Sequence, residues 1–277
     1  MIDLRHKSTG EIIVSIDLPM LAKADLSGLD LAGVNLRDAS LWGTNLSNAD
    51  LENADLTGAR LPYTDLRGAN LNRAHFWHAD IHQALLTDAD LSGADFNHTQ
   101  LFASELTGAN LRDLRLCASR VTWANLSGRS LPTQKWFSTQ FTKVELQHSD
   151  LSHSLFKRLI FDQCDLSGMC LAGSSLVDVI FRRVNLAGTD FTDCELGDGS
   201  FIDCPTLHLA VGLETVLHKA PRPRLSRRSC IDIDTLRASV TQLPGRFLNG
   251  MGLSTGEIEC LRAMFRRTGG ETYVAHR

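Results

Sequence analysis

An all-β solenoid is the fold class that this sequence predicts, and three observations predict it. From Leu26 to Phe201 every fifth residue is Leu, Phe, Ile, Val or Trp, an unbroken series of 36 centres. Two positions before the centre stands a small residue, as at Ala24, Ala39, Thr44, Ala49, Ala54 and Ala59. Asp or Asn recurs just before the centre (Asp25, Asn35, Asn45, Asp50, Asp55), and Gly recurs two after it (Gly28, Gly33, Gly43, Gly58, Gly68). A helix repeats about every 3.6 residues and a flat strand about every 2, so a period of five fits neither. Two inward positions separated by one outward residue suit a short extended segment followed by a turn. Chained, such segments wind into a coil, and a fixed period of this kind marks a repeat architecture.

With the motif A-(D/N)-L-x-G in hand, residues 24–204 resemble the pentapeptide-repeat proteins. The resemblance implies a right-handed quadrilateral parallel β-helix with four pentads per coil. The centre and the small residue would face inward and the other three residues outward. Residues 24–203 then fill about nine coils of 20 residues. At an inter-strand spacing of about 4.8 Å the rod is roughly 43 Å long. Every twentieth residue stacks, which puts Phe141, Phe161, Phe181 and Phe201 in one inner column. Phe76, Phe96, Trp136 and Phe156 fall in the neighbouring one. Each ring pair adds about 0.5–1.5 kcal/mol beyond its burial.

The flanks are read in chain order. An open coil end exposes unpaired backbone and apolar centres, so a solenoid needs caps. Residues 1–23 supply one: Glu11–Leu18 is rich in β-branched residues, follows the turn signal Ser8-Thr9-Gly10, and can form a hairpin with Ile2–Arg5. Within the repeat one coil is irregular. Arg129 and Gln134 occupy inward small positions beside Pro132 and Trp136. A buried Arg is costly unless paired, so the backbone is expected to bulge around 129–138 and turn Arg129 outward. After Phe201 the period stops. Residues 205–220 show helix-like spacing (Leu209, Leu213, Val216, Leu217) and are expected to form a helix over the last coil. Residues 221–277 read as a basic linker, Pro221–Arg228, and a small helical module whose last helix opens with the capping box Ser254-x-x-Glu257. This tail resembles the segment that follows the repeat in multi-domain pentapeptide proteins, where it leads to signalling domains of the Toll/interleukin-receptor type. No such domain is expected here.

Composition bounds the function. Hydrophobic residues at 43% and charged residues at 22% exclude a disordered chain. There is no apolar run long enough for a membrane span and no signal-peptide start. The seven cysteines are scattered and form no C-x-x-C pair. Cys164, Cys194 and Cys204 hold inward small positions, where a thiol packs as a small hydrophobe. A cytoplasmic location is expected. No nucleophile, phosphate-loop or zinc-protease motif occurs, so neither an enzyme nor a cofactor is expected. His75, His78, His82 and His98 lie near one another, but nothing of ligand character completes a metal set in their columns.

Charge carries the functional signal. Asn would serve the turn as well as Asp, so the choice of Asp is partly free. The face centred on Leu26, Leu46 and Leu66 has six acids and one base, net −5. The next, centred on Leu31, Leu51 and Leu71, has eight acids and three bases, net −5. The third is net −1 and the fourth, with three acids and five bases, net +2. One half of the prism is therefore acidic, and its candidate partner-binding residues are Asp25, Asp30, Asp50, Glu52, Asp65, Asp90, Glu105, Asp150 and Asp190. The chain after residue 210 is net +5. An acidic stripe on a rigid rod attracts a basic groove. The resemblance implies such a partner, since some pentapeptide-repeat proteins mimic duplex DNA and bind type II topoisomerases. The expected function is thus a non-catalytic rod that binds DNA gyrase or topoisomerase IV, as in drug or toxin resistance. The alternative is a scaffold or sensor that docks a partner through its helical tail. Direct nucleic-acid binding is not expected. The terminal coil, with Phe201, Leu209, Leu213 and Leu217, serves either as a simple cap or as an end-to-end homodimer contact.

Overall fold

The computed structural model describes residues 1–218, 230–232, 235–236 and 239–267. The repeat winds into a parallel β-solenoid in which each residue pairs with the one 20 positions on, from the Asp25–Asn45 bridge to the Cys170–Asp190 bridge. Its cause is local. The centre and the small residue of each pentad point inward: Leu26, Leu31, Leu36 and Leu41 are buried, as are Ala49, Ala54 and Ala59. The pentad then turns. The N–H three after the centre donates to the centre's carbonyl, as from Ala54 to Leu51 at 2.9 Å. The residue two after the centre is left-handed, with φ of 66° at Gly28 and 55° at Asn48. This is the arrangement of a type II turn, in which that position favours Gly or Asn because a Cβ is strained there.

Between coils the backbone bonds run along the axis. Leu26 N–H donates to Asn45 O at 2.8 Å, and Asn45 N–H returns to Ala24 O at 2.9 Å. Small-position hydroxyls add a second set, with Thr64 Oγ1 donating to Leu41 O at 2.8 Å and Ser174 Oγ to Leu151 O at 3.0 Å. Cys194 occupies the same place, its Sγ 2.9 Å from Leu171 O. Burial pushes the Cys194 thiol up to about 12, and Cys164 and Cys204 up to about 11, so all three stay protonated. The inner aromatic columns form as the period predicts: Phe141–Phe161, Phe161–Phe181 and Phe181–Phe201 stack at 5.0, 5.5 and 5.0 Å.

The N-terminal cap is a hairpin. Strand β1 (Ile2–Arg5) pairs antiparallel with β2 (Ile12–Ile16). It docks on the first coils through the His6–Val34 bridge and the bond from Asn35 N–H to Arg5 O at 2.8 Å, with Leu4 buried beneath it.

The other end corrects the sequence reading. Residues 205–218 are not an α-helix. They form a 3-10 turn at Leu207–Leu209 and then the strand Leu217–His218, which extends the parallel ladder from Glu195–Leu196. The reason is the unfinished coil. Backbone groups of the last pentads still need partners, and Val211 and Leu217 supply them, bonding to Thr189 O and Cys194 O at 2.8 Å each. Gly212, at φ 74°, makes the bend possible. Residues 219–220 and the basic linker fall outside the described residues. The helical module follows. Helix α1 (Gly245–Gly250) buries Phe247 and Leu248. Helix α2 (Thr255–Arg267) carries the expected capping box, with Ser254 N–H donating to Glu257 Oε2 at 2.8 Å and Glu257 N–H to Ser254 Oγ at 3.3 Å. Arg262 ties α2 down through Val240 O at 3.1 Å and Leu243 O at 2.5 Å.

The irregular coil is the second correction. Residues 129–138 do not bulge, because they keep full pairing with the coil below. Leu131 N–H reaches Asp150 O at 2.6 Å, and Gln134 N–H reaches Ser154 Oγ at 2.9 Å. The break lies on the other side. The ladder Asp30–Asp50–Asn70–Asp90–Asn110 omits the Asn110–Ser130 step and resumes at Ser130–Asp150. Among the described residues, no backbone hydrogen bond joins 108–114 to 127–134. Arg129 stays half-buried, its Nε enclosed and without a partner, and Gln134 Oε1 and Trp136 Nε1 are likewise unpartnered. Arg129 and Gln134, too large and too polar for the small inward sites they occupy, wedge this seam open beside the Trp136 centre. The result is a cleft of about 540 Å³ lined by Asn97, Asp113, Arg115, Gln134, Lys135 and Phe137.

Two outcomes follow for stability. Gln134→Ser removes an unsatisfied buried amide and restores the hydroxyl that other coils place here; it should stabilise by about 1 kcal/mol, read as a higher urea midpoint at unchanged slope. In native-state hydrogen exchange the amides of Leu111, Asp113, Ser130 and Lys135 should exchange at least about tenfold faster than those of Leu151 and Leu171. Equal protection would mean that the seam is closed in solution.

Candidate partner-binding faces

The predicted acids are brought together into two columns. On the first face Asp25, Asn45, Asp65, Leu85 and Glu105 bridge in succession. On the second, Asp30, Asp50, Asn70, Asp90 and Asn110 do so above the seam, and Asp150, Cys170 and Asp190 below it. Glu52 stands beside Asp50, two residues along the same pentad. Asp25, Asp30 and Glu105 are exposed, while Asp50, Glu52, Asp65, Asp90, Asp150 and Asp190 are half-buried in the wall.

Each Asp has the same backbone task. Its Oδ1 accepts the N–H two residues on: Ser27 to Asp25 at 3.2 Å, Glu52 to Asp50 at 3.0 Å, Ser92 to Asp90 at 3.0 Å, Thr192 to Asp190 at 2.8 Å. Asn side chains do it equally, as Ser47 N–H to Asn45 Oδ1 at 3.1 Å and Arg112 N–H to Asn110 Oδ1 at 3.2 Å. The charge is therefore surplus to the fold. Where Asn follows Asp by one coil, its Nδ2 donates upward: Asn45 to Asp25 at 2.9 Å, Asn70 to Asp50 at 3.0 Å, Asn110 to Asp90 at 2.9 Å. The Ser27 hydroxyl and N–H, helped by Asn45, hold the Asp25 carboxyl below its usual value of 3.8.

Not every acid presents free charge. Arg67 grips Asp65 through Nε at 2.9 Å and Nη2 at 2.6 Å and lowers its pKa chiefly by that bond, so the pair is locally neutral. The predicted acids without an ion pair in the upper coils are thus Asp25, Asp30, Asp50, Glu52, Asp90 and Glu105.

The remaining predicted positions separate. Phe201 is buried and capped within the chain, its ring 5.8 Å from Phe247 in an edge-on contact. Leu213 is buried, whereas Leu209 and Leu217 point outward. The four residues therefore do not form one patch, and the terminal coil is covered by the chain's own tail. His78 and His98 stack at 5.0 Å on the surface. Among the described residues no group of three or more His, Cys, Asp or Glu is placed to hold a metal ion, and no helix is long and apolar enough to cross a membrane.

Weighing outward positions by charge alone passes over exposed aromatics on the fourth face: Trp42, Tyr63, Phe102 and Trp123. The signal was in the sequence, one and two residues after the centres at 20-residue steps.

A family model described as pentapeptide repeats matches in eight copies, over residues 20–53, 35–73, 49–88, 69–104 and 86–128, and a pentapeptide repeat region matches 134–210. The chain belongs to the pentapeptide-repeat family. It is 45% identical over 76 residues to pentapeptide repeat protein MfpA of Mycobacterium tuberculosis, a match spanning 26% of this chain and 42% of that protein. The chain thus spans less than half of the curated relative it matches. HetL of the cyanobacterium Nostoc sp. strain PCC 7120, a pentapeptide repeat protein involved in heterocyst differentiation regulation, aligns with a TM-score of 0.44 at 23% identity, over 72% of this chain and 89% of HetL. QnrB1, a plasmid-mediated fluoroquinolone resistance protein, aligns with a TM-score of 0.38 at 16% identity, over 85% of this chain and 97% of that one.

A carboxyl whose folded pKa is depressed stabilises the fold above its unfolded pKa and loses that contribution as pH falls through the folded value. The Asp25 carboxylate should therefore titrate in carbon-detected NMR with a midpoint below 3.8, and the Asn45→Ala variant should move that midpoint up.

Proposed function

We propose that this pentapeptide-repeat protein is a non-catalytic rod whose acidic half occupies the basic, DNA-binding groove of a type II topoisomerase, gyrase or topoisomerase IV, and modulates or protects that enzyme. The observation that carries the reading is the redundancy of charge on the first two faces. Asn performs the same hydrogen bonds there, yet Asp25, Asp30, Asp50 and Asp90 carry a carboxylate, exposed at Asp25 and Asp30 and half-buried at Asp50 and Asp90. The family resemblance supplies the class of partner. Magnitude supports a partial mimic: duplex DNA carries one charge per about 1.7 Å, roughly 25 over a rod of this length. The two acidic faces carry a net −10. Recognition then rests on regular spacing and rigidity as much as on total charge, with attraction that salt weakens.

The alternative is a scaffold docking a partner through its tail, whose described part offers chiefly the outer side of α2. Phe247, Leu248 and Met251 are buried, and α2 leaves Met264 and Cys260 open.

The test uses the equivalence of Asp and Asn. Asp30→Asn, Asp50→Asn and Asp90→Asn together should leave the circular dichroism and melting of the rod unchanged while weakening inhibition of gyrase supercoiling at least about tenfold. Reversal of the same three to Lys should abolish it. Full inhibition by the Lys variant would sink the proposal.

A further inference from the structure

The fourth face lies opposite the second acidic face and has a different surface. Five successive coils place Trp42, Tyr63, His82, Phe102 and Trp123 on it. Trp42, Tyr63, Phe102 and Trp123 are 43%, 56%, 42% and 55% exposed. Among the described residues only one other aromatic, Trp77, is comparably open, and it sits around the neighbouring corner against His98. Two neighbouring pairs are in ring contact, Trp42 with Tyr63 at 6.5 Å and His82 with Phe102 at 5.4 Å between centroids. Two of them are held at a conformational cost. Tyr63 has φ 60° and Trp123 φ 58°, the left-handed turn position that Gly, Asn or Asp fills in about half of the pentads and that elsewhere takes residues such as Arg73, His98 and Thr133. A bulky residue there is strained.

Cations are interleaved with the rings. Lys23 Nζ lies 4.5 Å over Trp42, and Lys143 Nζ 4.2 Å over Trp123. Arg60 and Arg120 stand exposed between them, and neither forms an ion pair among the described residues. From residue 19 to 143 the face holds one acid, Asp80, and the His82 ring engages it.

We propose that this face is a platform for single-stranded nucleic acid, its rings stacking on bases and Lys23, Arg60, Arg120 and Lys143 holding phosphates. Shape decides against a globular protein. The strip is one pentad wide and runs from Lys23 to Lys143, six coil steps or about 29 Å. Three outward residues per pentad make it about 10 Å across, hence about 290 Å², against about 800 Å² for one side of a standard protein interface. A single strand needs no more than a narrow track of rings and positive charge, at about 4–16 nucleotides per site. A duplex keeps its bases stacked inside and offers such rings nothing to stack on. The second acidic face lies across the rod, beyond a Debye length of about 8 Å at physiological salt, while the first adjoins this face and its carboxylates lower the affinity without removing the track of rings and cations. This surface is separate from the acidic half, so the two readings stand or fall independently.

The test is fluorescence anisotropy of the full chain with labelled oligothymidylate and oligouridylate of about 20 nucleotides, the two sources compared directly. Binding should quench tryptophan fluorescence, and four phosphate contacts predict a slope of about −2.8 in log K against log salt. Trp42→Ala and Trp123→Ala, folded by circular dichroism, should each weaken binding about 5- to 150-fold. The quadruple variant Arg222→Ala, Arg224→Ala, Arg227→Ala and Arg228→Ala should bind as the parent does. No binding, equal affinity for a duplex, parental affinity in both Trp variants, or loss in the Arg variant would overturn the proposal. Competition by polyglutamate as strong as by unlabelled oligonucleotide would also overturn it and point to an acidic protein segment.

Discussion

Everything in this molecule depends on the parallel register of 20 residues. Each coil sends its N–H and C=O groups along the axis to the neighbouring coils, as in the Leu46 to Asp65 and Asn45 to Ala24 bonds at 2.7 and 2.9 Å. Backbone groups that would be costly if buried unpaired are thus satisfied without help from outward side chains. The register in turn requires that the interior repeat in cross-section. A Leu stacks on a Leu and a small residue on a small residue, so the coil spacing set by the hydrogen bonds is also the spacing that closes the packing. Hydrogen bonding and hydrophobic burial impose one geometry, and neither can change alone.

The seam between residues 108–114 and 127–134 shows the same coupling by its failure. Gln134 is 3% exposed, so its amide occupies volume meant for an Ala, Ser or Thr. Trp136 lies beside it under the same coil. With the cross-section enlarged, the axial hydrogen bonds on that side are lost together with the packing, and a void opens among Leu91, Phe96, Leu114 and Trp136. The pairing of Leu116 with Trp136 and the Glu105–Asn125 bridge hold either side of the gap, which confines the damage to about two pentads. The backbone does not bulge outward because the coil below, with Ser149 and Ser154 in the small sites, offers it a complete set of partners.

Most of the fold was legible because one period encoded it. Centre, small residue, turn and stacking column all follow from the spacing of five, and the inner Phe columns could be read by counting. The places where reading failed share a physical cause. Leu209, Leu213, Val216 and Leu217 have helix-like spacing, but the unpaired edge of the last coil outweighs local propensity and draws Leu217–His218 into the ladder. For Arg129 and Gln134 the sequence identified the wrong residues in the coil, while the direction in which the strain is released depends on which neighbouring coil packs better. For the acids, composition by face was correct, yet Asp65 is cancelled by Arg67 only through a side-chain geometry that spacing does not specify.

A solenoid of this kind separates folding from surface chemistry more completely than a globular fold does. Three of five positions in each pentad face out, and at the one before the centre Asp, Asn, Ser, Arg or His all keep the bridge to the next coil. Outward residues are therefore weakly constrained by stability, and departures from the least strained choice carry information. Carboxylates where amides would serve, as at Asp50 and Asp90, cost the rod mutual repulsion. Aromatic rings at left-handed positions, as at Tyr63 and Trp123, cost it backbone strain. The two departures lie on opposite sides and differ in chemistry. A single partner cannot satisfy both, since a basic groove that welcomes the acidic columns would be repelled by Lys23, Arg60, Arg120 and Lys143. On the two proposals the rod is two-sided, with one stable core presenting an acidic surface and an aromatic, basic surface to separate ligands.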